Sequence, residues 1–446
     1  TVSGSDFVPS ASVTMQIYFN SSTTSWSLKK ATTFTTGVEG SWEKTWDASA
    51  DLGTYTVLAK DATTSTVLAR CHFGVWNLDK AKYERTQKVT VKGGGARPTS
   101  SVKVEFFAPG SSVANVTKTV SAGSAGGWTI EWKTQSDTAL GTWTAKLSGV
   151  DAYDSPYPSF SDEKDFTIKK ANITIGITTG KASYQRTETI RINATATYPN
   201  GTSIKTTVPV KLNMTVGTTK ILSAASMKYN STIKKWTYSR EIKLSDRTGT
   251  YSIVVYTKDP DGNNGSATKT VPVTKATYPI TLQTDKNSYQ RTESIRVTAT
   301  VKYPNGTTLG TGAVTAVIKM GTTQLASLTL RYNTAAKNWE GSYPIKASDP
   351  AGNWNITAST KDAYDNSGSA SKIVSVSAAQ LTVSGSSNAT AYQRTQTIEM
   401  TAAIQYPNGT ALSIGSMNAT VKIGASTVAR IPLTYSPVFG NWRGSY

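Results

Sequence analysis

The chain has 446 residues with one Cys and one His, which excludes a disulfide framework and leaves any Ser-His catalytic triad dependent on His72. No apolar stretch reaches the ~20 residues that a membrane-spanning helix requires. The 47 Lys and Arg outnumber the 28 Asp and Glu, giving a net charge of +19, but these residues are spread along the chain without a basic run. We therefore expect no nucleic-acid partner, while the charge permits contact with acidic glycans or lipid headgroups of a cell envelope.

A four-residue motif recurs along the chain. Tyr-Gln-Arg-Thr begins at Tyr184, Tyr289 and Tyr392, and a looser copy, Tyr-Glu-Arg-Thr, begins at Tyr83. Successive copies of this Tyr-x-Arg-Thr motif begin 101, 105 and 103 residues apart, a period that corresponds to one whole domain per repeat. We expect its Tyr to cover the end of a core and its Arg to lie along an aromatic ring or the next domain. Direct ligand binding by the Arg is the alternative.

Alternating strands follow the motif and predict β-sandwich domains. In the fourth repeat, apolar and polar residues alternate over 295–303 and end at Pro304-Asn305-Gly306, which is typical of a half-buried strand and a turn. In three repeats a Tyr stands seven residues before a Trp, as in Tyr229 and Trp236, and predicts a hairpin with the Trp in the core. About seven strands per repeat favour an all-β, two-sheet antiparallel sandwich.

The period divides the chain into five immunoglobulin-like domains, the last incomplete. Units 1 to 5 cover residues 1–74, 75–169, 170–274, 275–379 and 380–446. Their connections are short and lack Gly-Ser runs, so the units are expected to stack end to end as a rod of roughly 150 Å or more. The match of Thr1–Ser5 with Thr382–Ser386 predicts that residue 1 lies in the first strand of its domain.

The fifth unit stops four residues after Trp442, whereas unit 3 continues for 38 residues after its own Trp. A sandwich without its last strands is expected to leave four side chains partly uncovered, namely Ile398, Met400, Ile404 and Trp442. We expect either that the polypeptide continues or that a neighbouring subunit inserts a strand.

The repeats resemble the tandem immunoglobulin-like modules of prokaryotic cell-surface proteins, including archaeal and bacterial surface-layer proteins, surface filaments and adhesin stalks. The resemblance rests on the opening Tyr-x-x-x-(Asp/Glu)-x-(Ile/Val), here Tyr184, Glu188 and Ile190, although Arg186-Thr187 stands where such modules usually carry Pro-Gly. It covers essentially the whole chain. The resemblance implies an extracellular structural or adhesive role, which fold alone does not establish.

Catalytic motifs are absent from the sequence, and Gly93-Gly94-Gly95 lacks the Lys of a phosphate-binding loop. We therefore expect no enzyme activity and no organic cofactor. Calcium is the better chemical candidate, because oxygen-bearing side chains recur in the same place of units 3 and 4 and are echoed at Asp151 and Asp154. The candidate ligands are Asp259, Asp261, Asn263, Asp362, Asp365 and Asn366. The alternative is that these residues form ordinary turns.

N-glycosylation sequons are the strongest signal apart from the fold. Of the 21 Asn residues, 13 satisfy Asn-x-Ser/Thr, and a bulky glycan requires an exposed position in an exported protein. The candidates are Asn20, Asn115, Asn172, Asn193, Asn200, Asn213, Asn230, Asn264, Asn305, Asn355, Asn388, Asn408 and Asn418. We expect glycans on several of the exposed turns and strand faces, among them Asn193, Asn200, Asn305, Asn355 and Asn408.

These observations predict a non-enzymatic, glycosylated surface-layer subunit that assembles with copies of itself into an extracellular array. The alternative is an adhesin stalk or a filament subunit held by strand exchange. Alternation places Cys71 on the apolar face of its strand, so a buried core residue is expected, with a covalent link between subunits as the alternative.

Overall fold

The computed structural model describes residues 2–20, 27–45, 53–150 and 160–446. Within those ranges the regular elements are all strands, which confirms the all-β prediction. The alternation of apolar and polar residues in the sequence explains why strands form. Val210–Val216, for example, buries every second side chain, as a strand with one face on a core must. In the described part of the chain, no helix is long and apolar enough to cross a membrane.

Unit 1 contributes six strands among the described residues. They are β1 (Val2–Gly4), β2 (Ser12–Asn20), β3 (Ser27–Thr35), β4 (Trp42–Lys44), β5 (Gly53–Asp61) and β6 (Val67–Leu78). One sheet pairs β1 with β4, and the other orders β5 between β6 and β2, with β3 at the edge.

Unit 2 shares a strand with unit 1. Its own strands are β7 (Lys82–Glu84), β8 (Lys88–Gly93), β9 (Ser101–Phe107), β10 (Val116–Ser121), β11 (Trp128–Lys133), β12 (Gly141–Val150) and β13 (Phe160–Lys169). The end of β6 pairs with β8 through Trp76–Leu78, while its earlier residues pair with β5. The predicted boundary between residues 74 and 75 therefore lies inside one continuous strand.

Unit 3 shows the complete sandwich. Its strands are β14 (Thr174–Thr179), β15 (Tyr184–Gln185), β16 (Thr189–Thr197), β17 (Val210–Val216), β18 (Thr219–Ser226), β19 (Lys228–Asn230), β20 (Lys235–Glu241), β21 (Gly249–Lys258) and β22 (Asn264–Thr274). One sheet has the order β14-β16-β20-β19 and the other β15-β22-β21-β17-β18. Among the named strands described in this unit, only the short β15 pairs in parallel, with β22. This is the immunoglobulin-like topology that the repeat predicted.

Unit 4 repeats this order with one difference. Its strands are β23 (Ile280–Thr284), β24 (Ser288–Gln290), β25 (Ser294–Val301), β26 (Val314–Met320), β27 (Thr323–Asn333), β28 (Asn338–Pro344), β29 (Gly352–Lys361) and β30 (Ser367–Ser377). Strand β27 pairs with β26 in one layer and with β28 in the other, so the two layers are joined along one edge.

Unit 5 contains β31 (Thr382–Ser387), β32 (Glu399–Gln405), β33 (Met417–Ile423), β34 (Ser426–Ser436) and β35 (Asn441–Ser445). The prediction that its core residues are partly uncovered is correct for Ile398 and Met400, which are half-buried. It is wrong for Ile404 and Trp442, which are only 5% and 4% exposed. Both side chains belong to a small core with Ala402 and Leu433, and Met417 and Ala419 of β33 pack against it.

The predicted Tyr-Trp hairpins are confirmed. Tyr229 lies opposite Trp236, and the same pairing joins Tyr332 to Trp339 and Tyr435 to Trp442. The three Trp side chains are between 2% and 4% exposed. Each indole therefore fills the core of its own sandwich. The neighbouring Tyr ring packs against it, with the ring centroids 4.9 to 5.7 Å apart.

The prediction that residue 1 lies in the first strand of its domain falls outside the described residues, but the neighbouring β1 does not pair as the first strand of a complete unit does. Gly4 of β1 lies opposite Trp42, and the residues in that place opposite the core Trp of units 3 and 4 are Ala194 of β16 and Ala299 of β25. Strand β1 thus takes the position of the second long strand of a unit, although its sequence resembles that of β31. The cause is that a five-residue run of small and β-branched residues suits any strand, whereas the pairing partner fixes its place.

Cys71 lies on β6, half-buried against the core of unit 1 together with Phe73 and Val75. Burial raises the pKa of its thiol. These surroundings agree with a small core residue and favour the thiol over the reactive thiolate.

Candidate functional site

In units 2, 3 and 4 the Tyr-x-Arg-Thr motif lies at the end of the sandwich that faces the next unit. In unit 3 its first two residues form β15, which pairs in parallel with the last strand, β22. Tyr184 is 2% exposed and belongs to the core of unit 3, and its hydroxyl accepts a hydrogen bond from Lys181 N at 2.9 Å. The Tyr therefore covers the end of the core, as predicted, and the residues after it are held where two units meet.

The Thr of the motif turns the chain. Thr86, Thr187, Thr292 and Thr395 have φ angles of 71°, 74°, 73° and 77°, in the left-handed region that glycine normally occupies and that β-branched residues rarely adopt. The hydroxyls of the first three are buried without a hydrogen-bond partner in the described part of the chain. This position is strained in every copy.

The Arg of the motif crosses to the next unit at the joint between units 3 and 4, which we call the third joint. Arg186 is 7% exposed. Its Nε donates to Asp246 O of its own unit at 2.7 Å, and its Nη1 donates to Tyr364 O and Asn366 Oδ1 of unit 4 at 2.7 and 3.2 Å. Its backbone N binds Thr274 O at 3.1 Å. A buried cation thus links two sandwiches through hydrogen bonds to neutral oxygens.

Arg85 makes the same crossing at the second joint, between units 2 and 3. Its Nε donates to Thr138 O of unit 2 at 2.6 Å, and its Nη1 donates to Asp261 O of unit 3 at 2.7 Å. The side chain is again 7% exposed. Ser136 strengthens this joint, because its Oγ donates to Asp261 Oδ2 at 3.0 Å and its carbonyl accepts from Asn263 Nδ2 at 2.9 Å.

The second residue of the motif binds the connecting segment. Its side-chain oxygen accepts a backbone N–H from the residues that lead into the next unit. The three contacts are Asn172 N to Glu84 Oε2 at 2.9 Å, Thr277 N to Gln185 Oε1 at 2.7 Å and Gln380 N to Gln290 Oε1 at 2.7 Å. All four residues of the motif therefore have a place in one device, which we call the arginine clamp.

The clamp closes on a turn that joins the last two strands of the following unit. In unit 4, Asp362 accepts Asn366 N at Oδ1 and Asn366 Nδ2 at Oδ2, at 2.9 and 2.7 Å. Tyr278 OH donates to the same Oδ2 at 2.6 Å, and Asn366 Oδ1 accepts Ala276 N at 2.7 Å. Burial alone pushes the pKa of Asp362 upward, but these hydrogen bonds outweigh it and hold the pKa below its ordinary value.

Unit 3 has an equivalent turn. Asp259 accepts Asn263 N and Nδ2, both at 2.8 Å, and Tyr198 OH at 2.8 Å. Asn263 Oδ1 accepts Ala171 N at 2.9 Å, and Asn263 is completely buried. The Asp, the Asn four residues later, a Tyr and the connecting backbone form one closed hydrogen-bond network in both units.

The six predicted calcium ligands fall in these two turns. The side-chain oxygens of Asp259, Asn263, Asp362 and Asn366 serve the network, and Asp365 makes ion pairs with Lys275 and Lys361 at 3.2 and 2.8 Å. No group of three or more His, Cys, Asp or Glu in the described ranges has the arrangement of a metal site. The geometry favours the turn alternative, and calcium binding stays a prediction. The echo at Asp151 and Asp154 lies outside the described residues.

The fourth joint, between units 4 and 5, contains the first half of a clamp. Arg291 donates through Nε to Asp349 O at 2.6 Å, and its backbone N binds Ser377 O at 3.0 Å. The described part of unit 5 contains no turn equivalent to that of Asp362 and Asn366. Arg394 of the last motif is exposed.

The sequons lie at accessible positions. Among those whose side chains the structure describes, Asn193 and Asn213 are half-buried and the others are exposed. The side chain of Asn20 is outside this description. Accessibility is necessary for a glycan but does not demonstrate one, so modification stays a prediction.

The sequence predicted that the Arg of the motif lies along an aromatic ring or the next domain, but two devices of the joints were missed, namely the residues that this Arg binds and the turn network. The contact of Arg186 with Asn366 joins residues 180 positions apart, and no spacing in the sequence connects them. The second device left a signal: Asp259 and Asn263, like Asp362 and Asn366, are four residues apart, and an Asp that caps a turn commonly binds backbone a few residues on.

The fold and its joints define the class of the molecule as a tandem array of immunoglobulin-like β-sandwiches. No family model and no curated protein matches the chain. A tetra-tandem repeat from the extending region of a large adhesion protein is 16% identical, with 83% of this chain and 94% of that one covered and a TM-score of 0.25. Part of a 1.5-MDa bacterial ice-binding adhesin is 14% identical, with 68% and 98% covered and a TM-score of 0.21.

Escherichia coli α2-macroglobulin is 9% identical over 98% of this chain, with a TM-score of 0.22, and this chain spans 35% of that protein. Sequence identities and TM-scores this low identify no relative whose function transfers to the chain.

Proposed function

We propose that the chain is a non-enzymatic structural protein of a prokaryotic cell surface, a glycosylated surface-layer subunit that assembles with copies of itself. The observation that carries the proposal is the arginine clamp, which repeats at the second and third joints with the same donors and equivalent acceptors. Tandem domains move relative to one another unless their interface holds them. A buried Arg, a strained Thr and a closed turn at each of these two joints hold the neighbouring units in fixed relation.

Two further features support this role. The sequons that the structure describes lie on half-buried or exposed side chains, which suits a protein whose exterior is modified after export. The net charge of +19 provides attraction to acidic glycans or lipid headgroups of an envelope. Rigid spacing and a decorated exterior are what an extracellular lattice requires.

Electron microscopy of isolated envelopes tests the proposal. Antibody against this chain should label a periodic array, and disrupting the array should release the chain. A protein that is found unassembled and soluble, with no array or filament on the cell, would contradict it. Peptide mass spectrometry of the same material should find glycans on several sequons.

An adhesin stalk is the second candidate, because clamped joints serve a spacer as well as a lattice. It predicts labelling of isolated fibres instead of a lattice, and saturable binding of cells that carry the protein to a carbohydrate or host surface. Cells in which Arg186→Ala is introduced should then bind less well at unchanged protein level, since a flexible stalk presents its tip less far from the cell.

A further inference from the structure

A cleft lies at the third joint, beside the clamp of Arg186. Its volume is about 380 Å³, within the roughly 300–1,000 Å³ of sites that hold small molecules. Unit 3 lines it with Lys181, Tyr184, Glu188 and Arg191, whereas unit 4 contributes the turn Pro304-Asn305. One wall of the cleft is therefore a glycosylation sequon, and the opposite wall is the turn that precedes the motif.

The turn fixes the side chain of Asn305. Thr307 donates twice to Asn305 Oδ1, from its N at 3.0 Å and from its Oγ1 at 2.7 Å. Gly306 has φ of 89° and donates its N to Tyr303 O at 2.8 Å. Asn305 is exposed, and its Nδ2 has no hydrogen-bond partner in the described residues. The nitrogen that carries an N-linked glycan is thus positioned by its own amide oxygen and free at the rim of the cleft.

The opposite wall suits a saccharide. Lys181 and Arg191 offer N–H donors, Glu188 offers carboxylate oxygens and Thr189 a hydroxyl. The Lys181–Glu188 ion pair holds two of these groups in place at 2.5 Å. A sugar attached at Asn305 is tethered beside the wall, so contacts too weak to bind a free sugar still hold it.

We propose that an N-linked glycan on Asn305 seats its first saccharides in this cleft and links unit 4 to the 180–191 turn and strand of unit 3. This inference rests on the proposed function, which includes a glycosylated exterior, and it gives the glycan on Asn305 a structural role. Asn200 and Asn408 stand in the same turn with the same pair of hydrogen bonds from Thr202 and Thr410. The glycan and the arginine clamp would then hold one joint from two sides.

Hydrogen exchange on the full chain, purified from its source organism, tests this. Gly180 N donates to Arg191 O and Lys181 N to Tyr184 OH, so both amides report on the cleft wall. In Asn305→Gln they should exchange about fivefold faster than in the native protein, a factor that corresponds to the loss of one net hydrogen bond. Asn355→Gln, which removes an exposed sequon of β29, should leave them unchanged.

A second pair of variants changes the sequon at Thr307. Thr307→Ser keeps the sequon and the hydroxyl and should retain the slow exchange, whereas Thr307→Ala removes the sequon and should lose it. Native protein with Asn305 unmodified in peptide mass spectrometry would overturn the inference. So would a modified Asn305 whose loss leaves exchange at the cleft wall unchanged. Neither result touches the proposed function, which depends on the array seen on envelopes.

Discussion

The first joint and the third joint each connect two sandwiches, the first through the backbone of a shared strand and the third through side chains of the motif. Between units 1 and 2, strand β6 runs through without a break and pairs on both sides of the boundary. Between units 3 and 4, the backbone leaves β22 and re-enters at β23, and side chains of the motif hold the two units. A backbone joint is fixed by every pair of its ladder, whereas a side-chain joint depends on a few groups. The third joint can therefore be loosened by one substitution and the first cannot.

The largest effect is expected from Asp362→Ala at the third joint. The change leaves Asn366 Nδ2 and Tyr278 OH without their acceptor inside a buried network, which costs about 3 kcal/mol of unfolding free energy for unit 4. Urea denaturation measures it. Asp365→Asn is the matched control, because Asp365 has a φ of 63° that Asn tolerates and its carboxylate makes ion pairs with exposed Lys side chains. It should cost less than about 1 kcal/mol. Equal effects of the two would show that the network does not hold the turn.

Alkaline pH should weaken units that carry buried Tyr hydroxyls. Burial, and then the hydrogen bond to Asp285, raises the pKa of Tyr289 to about 12, and burial with Asp349 raises that of Tyr343 to about 12. An unfolded Tyr loses its proton near pH 10, so the folded state binds more protons between the two values. Stability is thus complete below pH 10 and falls as the pH rises towards 12. Melting curves should show the fall, and Tyr343→Phe should reduce its slope.

Thr292→Gly is expected to stabilise unit 4. Gly adopts φ near 73° without strain, and left-handed strain in a β-branched residue costs roughly 1–3 kcal/mol. The greater freedom of Gly in the unfolded chain removes about 0.5–1 kcal/mol of that gain. The net rise in unfolding free energy should be about 1 kcal/mol, measurable by urea denaturation. A loss of stability would mean that the Thr methyl packs better than its strain costs.

Calcium removal is expected to have the smallest effect. The carboxylates of the two turns already accept hydrogen bonds or make ion pairs, so a chelator should leave the melting temperature unchanged. A clear drop would assign a cation to the turns of Asp259 or Asp362, because a ligand bound only by the native state stabilises it.

Local patterns made much of the fold predictable. Alternation and the Tyr-Trp spacing specify which face of β28 is buried, and Trp339 fills the core as expected. The joints were less accessible, because the partner of Arg186 is supplied by a distant turn. At the first joint, Gly74 lies inside β6 and does not end the strand, as a glycine before a domain boundary would be expected to do. A Cβ added at Gly74 would lie 1.9 Å from Gly94 O. That glycine marks a close approach of two backbones and not a turn.

The central claim is that the arginine clamp fixes the relation of units 3 and 4. Spin labels at Ser231→Cys and Thr334→Cys, both exposed, in a Cys71→Ser background, report the distance between the two units by pulsed electron resonance. The clamped chain should give one narrow distribution, and Arg186→Ala should broaden it, while Arg296→Ala on an exposed strand face should not. A distribution equally narrow with and without the guanidinium of Arg186 would contradict the account.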